Sequence, residues 1–327
     1  MYNMQKLIEA IFNESESNFE NLAMDVFKFQ QQNNDIYTDY IRKLNRTNTY
    51  TGFKDIPFLP ISLFKTHEVK SYNTNTDIIF TSSSTTGTGV SKHYVRDIKI
   101  YEKSFIKGFE HFYGSIADYA FVCLLPSYLE RSGSSLIYMA EKLIALSHNA
   151  DSGFYLKATD EMIEIIKRRE QQGQKTILLG VTFALLDFAE SCKQQLVHTI
   201  VMETGGMKGR RKEMTRGEVH EELTNAFGTE HIHSEYGMTE LLGQAYSKGS
   251  GIYTPAPWMK VFVRAYDDPF EVKESGTGVL CIIDLSNIYS CSFIETQDIA
   301  TVHANGNFEI LGRLDNSDIR GCSLLTV

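Results

Sequence analysis

Apolar side chains recur at helical spacing from the start of the chain, at Leu7, Ile8, Ile11 and Phe12, then at Phe19, Leu22, Ala23, Val26, Phe27 and Phe29. A stripe repeating every three to four residues buries one face of a helix, so two amphipathic helices are predicted. Asn33-Asn34 interrupts the pattern and Tyr37, Tyr40 and Ile41 restart it. Pro57 and Pro60 then end helical structure within Ile56-Pro57-Phe58-Leu59-Pro60-Ile61, because proline has no amide hydrogen to give a helix.

From residue 115 to 285 short apolar runs alternate with amphipathic ones. Tyr119-Ala120-Phe121-Val122-Cys123-Leu124-Leu125 has the continuous apolarity of a buried strand, and residues 134–146 set Leu136, Ile137, Met139, Ala140, Leu143 and Ile144 on a broad helical face. The cycle repeats: residues 161–171 read as helix, 176–180 as strand, 183–189 as helix and 199–202 as strand. Such alternation predicts βαβ units and an α/β domain with parallel strands. In such sheets ligands collect at loops beyond the carboxyl ends of the strands.

One stretch breaks both periodicities. Residues 80–92, Phe80-Thr81-Ser82-Ser83-Ser84-Thr85-Thr86-Gly87-Thr88-Gly89-Val90-Ser91-Lys92, combine hydroxyls, two glycines and a lysine. Backbone amides, side-chain donors and a positive charge make the inventory of a phosphate cradle. By composition alone it also suits a flexible linker. Its flanks favour the cradle, since Asp77-Ile78-Ile79-Phe80 and His93-Tyr94-Val95 read as strands. It is not a G-x-x-x-x-G-K-[ST] loop, because no glycine precedes Lys92 and no helix signal follows.

Composition narrows the classes. With 327 residues, 42% hydrophobic and 22% charged, the chain has the size of one large domain or two. A formal net charge of −9 argues against nucleic acid as a partner, and Arg210-Arg211-Lys212, the densest cationic run, reads as a solvated face. Met1-Tyr2-Asn3-Met4-Gln5-Lys6 lacks the apolar centre of a signal peptide and no run of 18 apolar residues occurs, so no membrane span and a cytoplasmic location are expected. Cysteines at 123, 192, 281, 291 and 322 are odd in number and have no C-x-x-C spacing, which supports neither a disulfide framework nor a zinc site. Cys123, Cys192, Cys281 and Cys291 read as core residues. His231 and His233 form an H-x-H pair with no third ligand placed nearby, and read as structural or pocket residues.

Three further segments are expected at strand ends. Met202-Glu203-Thr204-Gly205-Gly206 offers bare backbone to a flat ligand such as a purine, although paired glycines are also simple turn formers. Ser234-Glu235-Tyr236-Gly237-Met238-Thr239-Glu240 combines a ring that can stack, a hydroxyl and a carboxylate able to hold a hard cation, and is equally compatible with a helix start. Glu295-Thr296-Gln297-Asp298 ends in a carboxylate suited to two ribose hydroxyls and is followed by Leu311-Gly312-Arg313-Leu314-Asp315.

In this order the segments resemble the adenylate-forming superfamily of acyl-CoA synthetases over roughly residues 78–321. A narrower resemblance rests on residues 56–65 (Ile56-Pro57-Phe58-Leu59-Pro60-Ile61-Ser62-Leu63-Phe64-Lys65), on residues 124–135 around Glu130-Arg131-Ser132-Gly133, and on Asp318-Ile319-Arg320-Gly321-Cys322-Ser323-Leu324. These are similar to the acyl-protein synthetase family, LuxE-like, whose best-known members are the fatty-acid ligase of the bioluminescence reductase system. The resemblance implies an α/β N-terminal-type adenylate-forming domain with layered sheets and helices, lacking the usual large mobile C-terminal domain. It divides the chain into an N-terminal helical segment (1–70), a catalytic domain (71–327) and a hinge region (312–327).

The resemblance also implies roles by position. Ser82, Ser83, Ser84, Thr85, Thr86, Gly87 and Lys92 would hold the ATP β- and γ-phosphates. Gly205 and Gly206 would border adenine, with Tyr236 and Gly237 against it. Thr239 would reach the α-phosphate, Glu240 would ligate Mg²⁺, Asp298 would bind ribose and Arg313 would sit near ribose or phosphate. Cys322 would accept the acyl group as a thioester, helped by Arg320. The implied enzyme is a ligase that adenylates a fatty or aromatic acid and passes it to a thiol, with an acyl-accepting enzyme or carrier protein as partner. Two alternatives stand beside it: a phenylacetate-CoA ligase-like enzyme using coenzyme A, and a non-catalytic nucleotide-binding subunit.

Overall fold

The computed structural model describes residues 3–13, 19–44, 50–82, 89–126, 133–205, 214–266, 268 and 270–314. The chain forms two compact units, one from residues 1–72 with 257–327 and the other from 73–256.

The first unit opens with α1 (Met4–Asn13), α2 (Phe19–Asn33) and α3 (Asp35–Lys43). Their apolar stripes point inward, burying Leu7, Ile11, Phe12, Val26, Phe27, Tyr37 and Ile41. The Asn33-Asn34 interruption is a helix boundary: the Asn34 side chain accepts from the Tyr37 amide at 3.0 Å and caps α3, satisfying a first-turn donor that has no partner within the helix. Tyr37 Oη donates to the Pro57 carbonyl at 2.5 Å. β1 (Leu59–Pro60) and α4 (Leu63–Thr66) follow.

The second unit begins with an antiparallel hairpin of β2 (Ile78–Thr81) and β3 (Lys92–Val95), in which Thr81 faces Lys92. After α5 (Ile98–Tyr113) come β4 (Ala120–Leu124), α6 (Ser135–Ser147), β5 (Gly153–Tyr155), α7 (Asp160–Gln171), β6 (Thr176–Val181), α8 (Thr182–Ser191), β7 (Thr199–Thr204), α9 (Arg216–Phe227) and β8 (His233–Tyr236). β5, β4, β6, β7 and β8 are parallel neighbours in that order. β4 and β6 are buried at every position, which is why they read as unbroken apolar runs. β9 (Ala245–Ser247) and β10 (Ile252–Pro255) extend the sheet beyond β8 with antiparallel pairing.

The first unit is completed by β11 (Met259–Arg264), β12 (Val272–Lys273), β13 (Gly276–Asp284), β14 (Phe293–Val302) and β15 (Phe308–Arg313), in the antiparallel order β12-β11-β13-β14-β15. β1 runs parallel to β14, with Leu59 opposite Ile294. The βαβ alternation expected through residue 285 therefore stops at β8. Among the described residues α-helices end with α9, and the connections after it are too short for the crossover of a dozen or more residues that parallel strands need. No helix among the described residues is long and apolar enough to cross a membrane.

The helices and strands of the first unit are joined by a buried amide. Gln30 Nε2 donates to the Asn287 and Ile288 carbonyls, both at 3.0 Å, and to Ser292 Oγ at 3.1 Å, while its Oε1 accepts from the Ser292 amide at 2.9 Å. Phe27 of α2, Tyr37 of α3 and Phe293 of β14 pack together in the same unit, with ring centroids 5.9–6.1 Å apart. Gln30→Leu keeps the volume but takes away these partners. We expect a loss of about 2–4 kcal/mol in urea unfolding, since a buried polar group left unpaired costs its full desolvation.

Candidate active site

Register fixes the geometry at the carboxyl ends of β7 and β8. Glu203 is paired with Ser234, Thr204 with Glu235, and across β8 to β9 Glu235 with Tyr246. Paired residues share a face and successive residues alternate. Glu203 and Ser234 therefore point to one side of the sheet, Thr204 and Glu235 to the other.

On the first side Glu203, 2% exposed, accepts from Thr182 Oγ1 at 3.0 Å and lies 3.4 Å from Arg216 Nε and 3.7 Å from His220 Nε2. The Arg216 guanidinium also covers the Tyr253 ring at 5.0 Å. Burial pushes this carboxyl up, but His220 and Arg216 outweigh it and hold Glu203 below the usual carboxylate range. Thr182 Oγ1 also approaches the Gly205 carbonyl at 3.3 Å. The strand end is thus tied to the first residues of α8 and α9, and Gly205 turns out of β7 with φ +76°, an angle that favours glycine.

On the second side Thr204 Oγ1 donates to Glu235 Oε2 at 2.5 Å. Burial raises the Glu235 carboxyl to about 7, Thr204 opposes that shift and Glu203 adds to it. A Cβ on Gly237 would lie 2.5 Å from Glu235 Oε1. The carboxyl therefore fills the space a side chain would need, which gives Gly237 its reason.

Tyr236 is buried, its ring 5.7 Å from that of Tyr253 and steeply inclined to it. The turn beyond holds Thr239, half-buried, and Glu240, buried at 7% exposure. His93 Nδ1, on β3, donates to the Thr239 carbonyl at 2.9 Å. Desolvation of this fully buried ring outweighs that hydrogen bond and lowers its pKa to about 4, so the ring is neutral near pH 7 with its proton on Nδ1. The strand leaving the hydroxyl-rich loop is thereby fastened to the Tyr236-Gly237-Met238-Thr239-Glu240 turn. At the base of that loop the Ser91 amide donates to Ser82 Oγ at 3.0 Å and the Ser82 amide to the Ser91 carbonyl at 3.1 Å. The Thr81 amide donates to the Gly133 carbonyl at 2.8 Å. Lys92 is exposed.

Within the second unit the structure brings Gly205, Tyr236 and Gly237 together at two adjacent strand ends, with Thr239 and Glu240 in the turn that follows and β3 fastened to it. Ser83, Ser84, Thr85, Thr86, Gly87, Gly206 and Cys322 lie outside the described residues. Asp298 and Arg313 belong to the first unit. There Glu295-Thr296-Gln297-Asp298, expected as a strand-end loop, lies inside β14, and Asp298 stands opposite Arg313 on β15. The polar run reads as a loop because it interrupts apolar residues. Neighbouring strands absorb it instead: Arg264 grips Glu295 at 2.6 and 3.2 Å, and Thr296 Oγ1 donates to the Leu280 carbonyl at 2.9 Å. Residues 234–236 are likewise strand, and Thr239 and Glu240 cap no helix.

His93, Thr182, Glu203, Thr204, Arg216, His220 and Glu235 are given no role by pattern reading. Glu203 and Glu235 leave a trace, as charges within strands, where unpaired charges are rare. Cys123, Cys281 and Cys291 are buried as expected, and Cys192 is half-buried. Of the H-x-H pair, His233 Nδ1 lies 3.1 Å from Tyr113 Oη. No group of three or more His, Cys, Asp or Glu among the described residues could hold a metal.

The fold is that of the N-terminal-type domain of adenylate-forming enzymes. ATP-bound MatB from Rhodopseudomonas palustris shares it at 16% identity, with a TM-score of 0.55 over 74% of this chain and 50% of that one. The O-succinylbenzoate coenzyme A synthetase MenE from Bacillus subtilis, in complex with ATP and magnesium ion, does so at 14% identity and a TM-score of 0.51, over 75% and 53%. The chain spans about half the length of these solved chains. A search of curated proteins finds no match. The family model of acyl-protein synthetase, LuxE, matches residues 6–326, and the chain belongs to that family.

Two measurements check this geometry. Gly237→Ala forces the buried Glu235 carboxyl from its place and is expected to cost about 1–3 kcal/mol in chemical denaturation, as overpacking does. His93 contributes stability that is present above its unfolded value near 6.5 and is lost as pH falls through about 4. His93→Gln should therefore lose less stability than the parent between those pH values, by on the order of 3 kcal/mol for a shift of this size.

Proposed function

We propose that this chain is an ATP-dependent ligase that activates a carboxylic acid, most suitably a fatty acid, as an acyl-adenylate and transfers the acyl group to the Cys322 thiol. The observation that carries the reading is the His93–Thr239 hydrogen bond. It fastens the strand leaving a hydroxyl-rich loop to the Tyr236–Glu240 turn, in a chain of the acyl-protein synthetase family.

Each side chain then has a task of positioning or charge stabilisation. Residues 82–91 and Lys92 hold the β- and γ-phosphates. Gly205 and Gly206 border adenine and Tyr236 stacks against it, Asp298 takes ribose hydroxyls and Arg313 the ribose or phosphate. Thr239 reaches the α-phosphate. Glu240 suits Mg²⁺, because this ion is commonly held by one or two carboxylates plus substrate phosphates, and a single buried carboxylate needs no protein cage around it. When bound, the ion supplies neutralisation of phosphate charge.

In the first step a substrate carboxylate oxygen bonds to the α-phosphorus, the bond from that phosphorus to the bridging oxygen breaks, and pyrophosphate leaves. In the second the Cys322 thiolate, favoured by Arg320, attacks the acyl carbon. The bond from that carbon to the AMP oxygen breaks, leaving a thioester. The acyl group is then available to a partner enzyme or carrier protein, and the site of action is cytoplasmic. A second reading makes coenzyme A the acceptor, supported by a fold shared with a coenzyme A synthetase.

Intact-protein mass spectrometry after incubation with ATP, Mg²⁺ and a mixture of fatty and aromatic acids tests this. A hydroxylamine-labile acyl adduct is expected in the parent and not in Cys322→Ala, with pyrophosphate release preserved in both. Release without an adduct in the parent, stimulated by coenzyme A, would select the second reading. ATP binding with no release under any condition would leave a non-catalytic nucleotide-binding subunit. Glu240→Gln is expected to slow pyrophosphate release by roughly 100-fold, the scale of one electrostatic contact made in a transition state.

A further inference from the structure

We propose that Glu235 is a positioning residue that locks the Gly205 strand end to the Tyr236-Gly237 turn, so that the two walls of the nucleotide site are held in register. The inference rests on the adenylating role proposed above and assigns the chain a part that no ligand-contacting residue plays.

Glu235 points to the face of the sheet away from Glu203, is 7% exposed, and meets one group from each wall. From β7, Thr204 Oγ1 donates to its Oε2 at 2.5 Å, and Thr204 is the residue immediately before Gly205. On the turn side, its Oε1 lies 2.5 Å from where a Cβ of Gly237, the residue just beyond β8, would be. The opposite face already fixes Gly205 from outside, through Thr182 and Glu203. Glu235 supplies what that cluster does not, a side-chain link between the last residue of β7 and the turn that carries Tyr236. Parallel strands are joined by backbone hydrogen bonds only as far as both remain extended. The pairing of β7 with β8 ends at Thr204 and Glu235, and the Thr204–Glu235–Gly237 contact lies at that end.

A carboxyl is suited to the task because it reaches both neighbours at once. One oxygen accepts the Thr204 hydroxyl while the other lies against Gly237, where an apolar residue of similar size would leave Thr204 without an acceptor in a buried place. Its work is therefore in hydrogen bonding and shape, and a glutamine, which keeps both, should serve far better than a leucine. The hydroxyl of Thr204 should be replaceable by that of serine but not by the methyl of valine.

The full chain with Thr204→Ser, Thr204→Val, Glu235→Gln or Glu235→Leu, and the double variant Thr204→Val/Glu235→Leu, would be titrated with ATP and Mg²⁺ by calorimetry. Melting temperature and pyrophosphate release at saturating ATP would be recorded for each. Thr204→Val and Glu235→Leu are expected to weaken ATP binding roughly tenfold, the scale of one buried hydrogen bond. Thr204→Ser and Glu235→Gln should stay within about threefold of the parent, and the double variant should be no weaker than the worse single one. Release at saturating ATP should change less than affinity. If Glu235→Leu does not fold, the Thr204→Val and Thr204→Ser pair carries the comparison. Parental ATP affinity in Thr204→Val, or equal weakening by valine and serine, would overturn the proposal while leaving the adenylating role intact. A parent chain that binds no ATP would sink both.

Discussion

A carboxylate inside a sheet must be paired, because removing a charge from water costs several kcal/mol unless hydrogen bonds and opposite charges replace what is lost. Glu203 and Glu235 sit on neighbouring parallel strands, at the ends where ligands collect in α/β sheets, and each meets that demand differently. Glu203 is surrounded by Thr182, Arg216 and His220 and stays below the usual carboxylate range. Glu235, on the other face, has one hydroxyl donor and no basic side chain paired with it among the described residues, and its carboxyl rises to about 7. Two like residues in adjacent strands thus carry different work: one draws two helices onto the strand end, the other joins strand to turn.

The same demand organises the first unit. Gln30 binds the segment 287–292 through both ends of its amide, and Arg264 holds Glu295 with two nitrogens. In each case a polar side chain far away in sequence supplies the partner. Helices α1 to α3 could bury their apolar stripes against many surfaces. The Gln30 contacts are specific to one.

How much of this was legible follows from the range of the interactions. Helices α1 and α2, and β4, α6, α7, β6, α8 and β7, are local patterns whose apolar spacing places them within a few residues, whereas β5, three half-buried residues, is too short to leave one. The hairpin around the hydroxyl-rich loop was visible for the same reason. Pairings across long separations leave no local mark: nothing near Leu59 points to Ile294, and nothing in His93-Tyr94-Val95 points to Thr239. The polar run Glu295–Asp298 misled because polarity along a strand signals a loop only when no neighbouring strand can satisfy it, and Arg264 and Leu280 do. The sheet after β8 misled in another way, since a buried apolar strand reads alike whether its neighbour is parallel or antiparallel.

Burial also bears on which thiol suits the acceptor role. A thioester forms from a thiolate, so a cysteine held in its neutral form by its surroundings is a poor acceptor. Burial raises the thiols of Cys123 and Cys281 far above the ordinary range and that of Cys291 to about 12, and each side chain is fully enclosed. Cys192, at the end of α8, is more open, but burial still raises it, with Lys167 only partly opposing. None of these four has the electropositive, accessible surroundings that make a nucleophile. The remaining cysteine, Cys322, has Arg320 two residues before it and Gly321 between them. A neighbouring cation lowers a thiol pKa and favours the thiolate. Enclosure thus makes the other four poor acceptors, which is why the proposed transfer is tested at Cys322, the position the family's sequence pattern points to.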